Sequence, residues 1–424
     1  MAVKINTSTG SKPWDVVVIG GGPAGMMAAG RAAELGANVL LLEKNSSLGK
    51  KLLITGGGRC NVTNAEFDTR AFLSKFKKND KFLFSAFAQY GVKEALDFFH
   101  AKNMPTKVEA ELRAFPVSNK ALSVWQVLVG YMRSGNVVVR QNISISGFIK
   151  KDGLIEAIKL KGGEEIRARS FVIATGGRSR PETGSTGDGF AWLKSFGHTV
   201  VEQDAALVPV TVKSDWVKRL QGVSLAGAKL TIFQNGVKQD SRKGKLLFTH
   251  FGLSGPMVLN ASRDIGELLK YGEVWLSLDV FPSLDRGALD IKVREILEAN
   301  SNKQIKNLLG KLVPAALGAV LIELSGIHGD TFAHSITRAQ RANLVRLLKD
   351  MPMQVSGLLG LSKAVVTSGG VALTEVDFKT MRSKKLSNLY VVGDLLNIDR
   401  PSGGYSLQLC WTTGFVAGSA AAAS

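Results

Sequence analysis

Three glycines, Gly20, Gly22 and Gly25, stand in the spacing G-x-G-x-x-G. That spacing suits phosphate chemistry. The first glycine permits a tight turn, the second lets the backbone approach a pyrophosphate, and the third lets a helix pack against a sheet. Exposed amides at the helix start, with the helix dipole, then hold the phosphates. Pro23 falls in the first helical turn, where a missing N–H costs little, and Ala24 follows it. Glu43, ending the next strand, is placed to accept hydrogen bonds from a ribose, with Lys44 beside it. These residues call for a dinucleotide without choosing which one.

The segment 47–64, SLGKKLLITGGGRCNVTN, narrows the choice. A nicotinamide enzyme has no need of so many glycines and amides directly after the ribose acid. A flavin needs backbone donors and small residues around its pyrophosphate, ribityl chain and ring. Lys50 and Lys51 can meet phosphate or substrate charge. Gly56, Gly57 and Gly58 allow close approach, and Arg59, Cys60 and Asn61 would lie by the ring. Asp394, ending LYVVGD, is placed for ribityl hydroxyls. Gly403-Gly404-Tyr405 opens the last helix, whose dipole can stabilise the anionic edge of a reduced flavin. The cofactor expected is therefore FAD. No second G-x-G-x-x-G follows a later strand, so NADH or NADPH is expected to dock only transiently. Cys60 and Cys410 are the only cysteines and the five histidines are scattered, which gives no metal site and points to a reducing cytosol.

The elements that must position these groups can be read from pattern. DVVVIG, 15–20, is a buried parallel strand, GGPAGMMAAGRAAELGA a close-packed helix, and NVLLLEK, 38–44, the second strand. Residues 66–130 read as mostly helical, 137–160 as hairpin strands turning at Lys151, Asp152 and Gly153, and 171–177 as another buried strand. The first residues carry no apolar stretch and read as a frayed preface, not a signal peptide. No window offers the roughly 18 apolar residues of a membrane span. The fold class expected is α/β: a discontinuous Rossmann-type domain over 1–199 and 357–424, interrupted by a β-rich insert, 200–285, and a helical one, 286–356.

Lysine and arginine total 54 against 35 acids, a net charge of +19. Such an excess fits solubility or an anionic dinucleotide, and it also fits a polyanionic partner, nucleic acid first.

The series GGGPAG, GKKLLITGGGRCNVTN, ATGG, TGSTGDG, LLFTHFGLSGP, TSGGV and GGYSLQ spans nearly the whole chain. In this order it resembles the BaiN-like family of bacterial FAD-dependent oxidoreductases, some of them labelled aminoacetone-oxidase-like. The resemblance implies an FAD-binding Rossmann-type domain with an inserted β-barrel-like domain and a helical domain. It implies FAD contacts at Gly20, Gly22, Gly25, Glu43, Lys51, Arg59, Cys60, Asn61, Gly393, Asp394, Gly404 and Tyr405. By analogy with related flavoproteins it adds Ile145, Thr175 and Gly176. The chain departs from the pattern in two places. Gly393-Asp394-x-x-Asn397 stands where Gly-Glu-x-x-Asp is usual, and Ser406 where Asn is usual.

The resemblance also implies a reaction. Similar proteins are associated with reduction of uridine to dihydrouridine in ribosomal RNA, or of unsaturated bile-acid intermediates. Both add hydride to a C=C conjugated to a carbonyl. With the charge, this favours an NAD(P)H-dependent reductase acting on ribosomal RNA. Reduction of a small unsaturated carbonyl compound, steroid- or bile-acid-like, amine oxidation, and a flavin-containing RNA-binding or assembly factor are the alternatives. Lys292, Arg294, Lys303, Lys306, Lys311, Arg338, Arg341, Arg346 and Lys349 of the helical insert would meet RNA. So would Lys75, Lys77, Lys78 and Lys81, with Phe76 and Phe82 for base stacking. Cys60 is the candidate proton donor, its reactive form favoured by Arg59, with His250 as runner-up.

Overall fold

The computed structural model describes residues 13–76, 79–201, 205–360, 366–367 and 369–424. The N-terminal preface before Pro13, and Lys77 and Lys78 of the basic run, lie outside them. The chain divides into two compact units, Met1–Ala205 with Val365–Ser424, and Ala206–Ala364.

The first unit is built on a parallel sheet. Trp14–Ile19 pairs with Val39–Leu42 on one side and Glu165–Ile173 on the other. Val138–Arg140 extends the sheet beyond Val39–Leu42, and Leu389–Val391 extends it beyond Glu165–Ile173. These strands are short β-branched and leucine runs because both faces are covered. Val138–Arg140 therefore does not belong to the hairpin expected over 137–160; its unalternating valines suit the parallel sheet. The hairpin itself is Ile145–Lys151 with Leu154–Leu160, joined through Asp152 and Gly153 at positive φ. It docks antiparallel on the first residues of Glu165–Ile173.

The helix Pro23–Glu34 covers the sheet and packs along the final helix, Tyr405–Ala423. The two backbones touch. A Cβ on Gly414 would lie 2.5 Å from the Ala24 carbonyl oxygen, and one on Gly418 would lie 2.4 Å from that of Ala28.

The region 66–130 is less helical than its composition suggests. Helices Thr69–Ser74, Asp80–Gln89, Val92–Ala101 and Ala121–Ser134 are present. Between and before them, Thr63–Asn64, Arg113–Pro116 and Thr106–Glu109 form a small antiparallel sheet. Strands of two to four residues are too short to print a period of two. Phe76 is fully buried against Phe72, Phe87 and Tyr405, so it packs the core and cannot stack on a base as expected. Phe82 is partly buried against the same core.

One buried polar set lies beside the sheet strand Leu389–Val391, where the Leu389 carbonyl accepts the Ser383 amide. His198 Nδ1 lies 3.0 Å from Glu375 Oε2, and Nε2 lies 2.7 Å from Ser383 Oγ. The order resembles a hydrolytic triad, but Ser383 is 3% exposed and its oxygen already accepts the amides of Lys385 and Leu386. The Ser383 hydrogen therefore goes to Nε2, leaving His198 neutral with its proton on Nδ1. Burial pushes the His198 pKa below its ordinary value despite the opposing pull of Glu375. A depressed folded-state pKa gives stability that is present above the unfolded value and lost as pH falls. Thermal unfolding followed from about pH 7.5 to pH 5 should show the midpoint falling below about pH 6.5, this group contributing a stability loss of at most ~1.4 kcal/mol per pH unit. His198→Gln should flatten that part of the curve.

The second unit holds a closed six-stranded antiparallel barrel. Its strands are Val210–Val212, Gly252–Ser254, Val237–Thr249, Ser224–Gln234, Val274–Asp279 and Met351–Leu358, in spatial order. The unit spans 206–364 where the sequence reading places the inserts at 200–356, and two elements differ. Residues 351–356 are not part of a helical insert; they belong to the strand that closes the barrel, alternating buried and outward residues. Within the β-rich stretch, Pro256–Leu269 is a helix that begins on its proline. The helices Arg286–Glu298, Ala315–Leu324 and Arg338–Lys349 share one hydrophobic core with the barrel.

Candidate functional site

In the first unit a cavity of about 410 Å³ is lined by the residues that follow the parallel strands. This is where doubly wound sheets bind ligands. Gly20, Gly22, Pro23 and Ala24 line it at the start of the first helix. The amide of Gly21 donates to Glu43 Oε2 at 2.7 Å, and Asn45 donates to Oε1 from both its backbone and side-chain nitrogens. The Glu43 carboxylate is thereby fixed in orientation at the cavity wall. Lys44 also lines the cavity, paired with Asp188 at 2.9 Å and with Thr186. Ile145, Thr175 and Gly176 complete this end.

Lys50, Lys51, Gly393 and Asp394 line the rest, with Ser406, Leu407 and Cys410 of the final helix. Asp394 receives Arg400 Nη2 on one oxygen and Lys51 Nζ, at 3.4 Å, on the other. Burial works against its ionisation, but Arg400 and then Lys51 more than offset this and hold its carboxyl below the ordinary range. It is a fixed acceptor. Burial pushes the Cys410 thiol up to about 12.

Other expected residues lie outside this lining. Gly25 sits beneath the cavity, where the first helix meets the sheet. Gly58, Arg59, Cys60 and Asn61 belong to a loop in which Gly56, Gly57, Gly58 and Cys60 all have positive φ. Gly404 and Tyr405 begin the final helix.

The expectation that Arg59 activates Cys60 is corrected. The Arg59 guanidinium is committed to Glu109, at 2.5 Å, and to Asn119, and it stacks over Phe115. Cys60 is fully buried, and burial raises its thiol to about 12 against a small opposing effect of Thr55. It sits in a tight turn at positive φ, and no positive group among the described residues offsets the effect of burial. His250 lies in the second unit, edge-on to Phe251, in the turn between Val237–Thr249 and Gly252–Ser254.

Sequence reasoning missed the loop around Thr183–Asp188, which lines the cavity with Gly184 and Gly187 at positive φ. Its TGSTGDG composition was the available signal. Arg400 was also missed, because a charged residue in an irregular segment reads as surface.

The residues present fit FAD. Thr175 Oγ1 on the wall and Asn61 Oδ1 in the glycine loop are buried and have no hydrogen-bond partner among the described residues. A Cβ on Gly22 would meet nothing within 4 Å, so the fingerprint turn faces open space. Acceptors at Glu43 and Asp394 suit ribose and ribityl hydroxyls, and Lys50 and Lys51 suit phosphate. Bound there, FAD supplies two-electron transfer.

Fold and cavity together define an FAD-dependent oxidoreductase. The family profile described as the HI0933-like protein Rossmann domain matches residues 14–420. The chain belongs to that family. It is 31% identical over 416 residues to a 3-dehydro-bile acid delta(4,6)-reductase of Clostridium scindens, covering 96% of this chain and 98% of that one. It is 31% identical over 400 residues to a ribosomal RNA dihydrouridine synthase of Escherichia coli, covering 94% and 96%. The fold resembles the open conformation of a flavocytochrome c3 fumarate reductase, with a TM-score of 0.55 at 16% identity over 98% of this chain and 79% of that one. It also resembles a 3-ketosteroid-delta4-(5alpha)-dehydrogenase of Rhodococcus jostii, with a TM-score of 0.52 at 16% identity over 99% of each chain. No helix among the described residues is long and apolar enough to cross a membrane.

Proposed function

We propose that the protein takes hydride equivalents from NADH or NADPH and reduces a C=C conjugated to a carbonyl, with uridine in ribosomal RNA as the substrate. The two relatives above are named for reductions of this chemical type. The observation that carries the RNA reading is the charge. Residues 206–364 hold 21 lysines and arginines against 13 acids, and the rest of the chain 33 against 22, so the excess is spread over both units. A long polyanion accounts for that distribution better than a small substrate does.

The charge is not a bare stripe. Arg294 pairs with Glu298, Lys306 with Asp330, Arg341 with Asp290 and Lys349 with Asp279. Lys292 lies over Phe281, and Lys311 donates to Asn300. Exposed pairs of this kind are worth about 0–1 kcal/mol. A phosphate can therefore displace the acid in the exposed ones, while Lys349, anchored also to two carbonyls, stays in place.

The test has two parts. Anaerobic mixing with NADH or NADPH should bleach the bound flavin; no reduction by either overturns the reductase reading. Deleting the gene should remove a dihydrouridine from ribosomal RNA, and its unchanged presence overturns the substrate. The bile-acid-like relative supports a second reading, a small unsaturated carbonyl compound, which turnover of such an enone with no change in RNA would establish. Oxygen consumption with a small amine would instead indicate an oxidase. Salt-sensitive RNA binding without flavin turnover would indicate a binding factor. Since Cys60 is buried, Cys60→Ala is expected to lower thermal stability and leave the rate of flavin reduction within about threefold of the parent.

A further inference from the structure

We propose that Arg400 is a positioning residue that sets the polarity of the cavity wall at Asp394 and Ser406, and so raises the reduction potential of the FAD held there. The proposal rests on reading this cavity as the FAD site.

The Arg400 side chain is 1% exposed. Its Nε donates to Ser406 Oγ at 2.9 Å, its Nη1 to the Ile398 carbonyl at 2.7 Å, and its Nη2 to Asp394 Oδ1. A guanidinium has donors only and does not lose its proton in a protein. Each of these polarities is therefore fixed. Ser406 Oγ must accept from Arg400, which leaves its own hydrogen to donate, and Ser406 lines the cavity. Asp394 is held as an ionised acceptor on the same wall. One side chain thus assigns a donor and an acceptor to adjacent positions.

The local charge points the same way. Arg400 and Lys51 converge on the single carboxylate of Asp394. The final helix begins at Tyr405 with no side-chain cap and no acid in its first turn, so its own residues do not offset the positive end of its dipole. Fixed donors and positive charge stabilise an electron-rich ligand most. Reduced FAD is the more electron-rich state, so it is held more tightly than oxidised FAD. Ser406 and Asp394 are also two of the positions where the chain departs from the pattern it resembles. Arg400 is the side chain that links them.

The experiment is a dye-equilibration titration of the purified FAD-bound protein, giving the midpoint potential, alongside affinity for oxidised FAD. Ser406→Ala removes the donor and leaves Arg400 in place. It should weaken binding of reduced relative to oxidised FAD about tenfold, a fall of ~30 mV for a two-electron couple. Arg400→Gln, lacking both fork and charge, should lower the potential by a larger amount, and Arg400→Lys by about as much as Ser406→Ala. A merely structural role would cut stability and oxidised-FAD affinity and leave the potential unmoved. Wild-type potential in Ser406→Ala overturns the proposal, and that variant decides alone if Arg400→Gln does not fold. Unimpaired FAD binding by Gly22→Ala would instead overturn the cavity reading, so the two failures are distinguishable.

Discussion

Gly25→Ala and Gly22→Ala should both yield protein without bound flavin, for opposite reasons. A Cβ on Gly25 would lie 1.9 Å from the Gly20 carbonyl oxygen and 3.2 Å from Ala174 Cβ. Neither neighbour can retreat, because both end strands of the central sheet. The helix must lift from the sheet, so Gly25→Ala should lower stability by about 1–3 kcal/mol or more as well as lose FAD. Gly22 is different. Its φ of −79° and ψ of −178° are open to any residue, and its Cβ would meet nothing within 4 Å. Gly22→Ala should therefore fold with parental stability in the FAD-free state, yet bind FAD at least a hundredfold more weakly, since the methyl occupies the space a pyrophosphate needs. Thermal unfolding of both FAD-free variants, with flavin absorbance after dialysis against FAD, checks this. A Gly22→Ala protein that keeps its flavin would show that the pyrophosphate lies elsewhere.

The second large effect is expected at Asp394. Removing it leaves Arg400 buried without its counter-ion. Breaking a buried pair by deleting one partner typically costs about 3–5 kcal/mol. Asp394→Ala should thus be among the most destabilising single changes in the first unit. Replacing both partners, as in Asp394→Ala with Arg400→Met, should recover most of that loss, because the buried guanidinium is gone and Lys51, part-exposed, keeps its hydrogen bond to Ser179. Denaturant unfolding of the two singles and the double, treated as a cycle, measures the coupling. Additive losses would mean the pair is not an energetic unit.

The reach of the sequence can be judged residue by residue. The unit of strand, turn, helix and strand from Trp14 to Leu42 is local, so its period, its glycines and Glu43 are all visible in one window. Leu389–Val391 was visible too, because a β-branched run ends at a glycine and an acid. Phe76 was misread because its neighbours in sequence are lysines, while its neighbours in space are Phe72, Phe87 and Tyr405. The Thr183–Asp188 loop and Arg400 act through residues far away in sequence, which no spacing rule reaches. The closing barrel strand was absorbed into a helical stretch because only one of its partners, Val274–Asp279, is near the helices in sequence; Val210–Val212 is not. Cys60 shows the reverse error. Adjacency to Arg59 in sequence suggested a charge effect that the folded side chains do not make.

The cavity is walled by residues at the end of Trp14–Ile19 and the start of Pro23–Glu34, and by residues that follow Leu389–Val391 and open Tyr405–Ala423. Everything between, including the whole second unit, must be synthesised before Gly393, Asp394 and Ser406 exist beside Gly20 and Glu43. A nascent or truncated chain therefore has half a cofactor site, however well its barrel has formed. A chain that stops short of Tyr405–Ala423 is therefore expected to hold no flavin, and it also lacks the helix that packs along Pro23–Glu34.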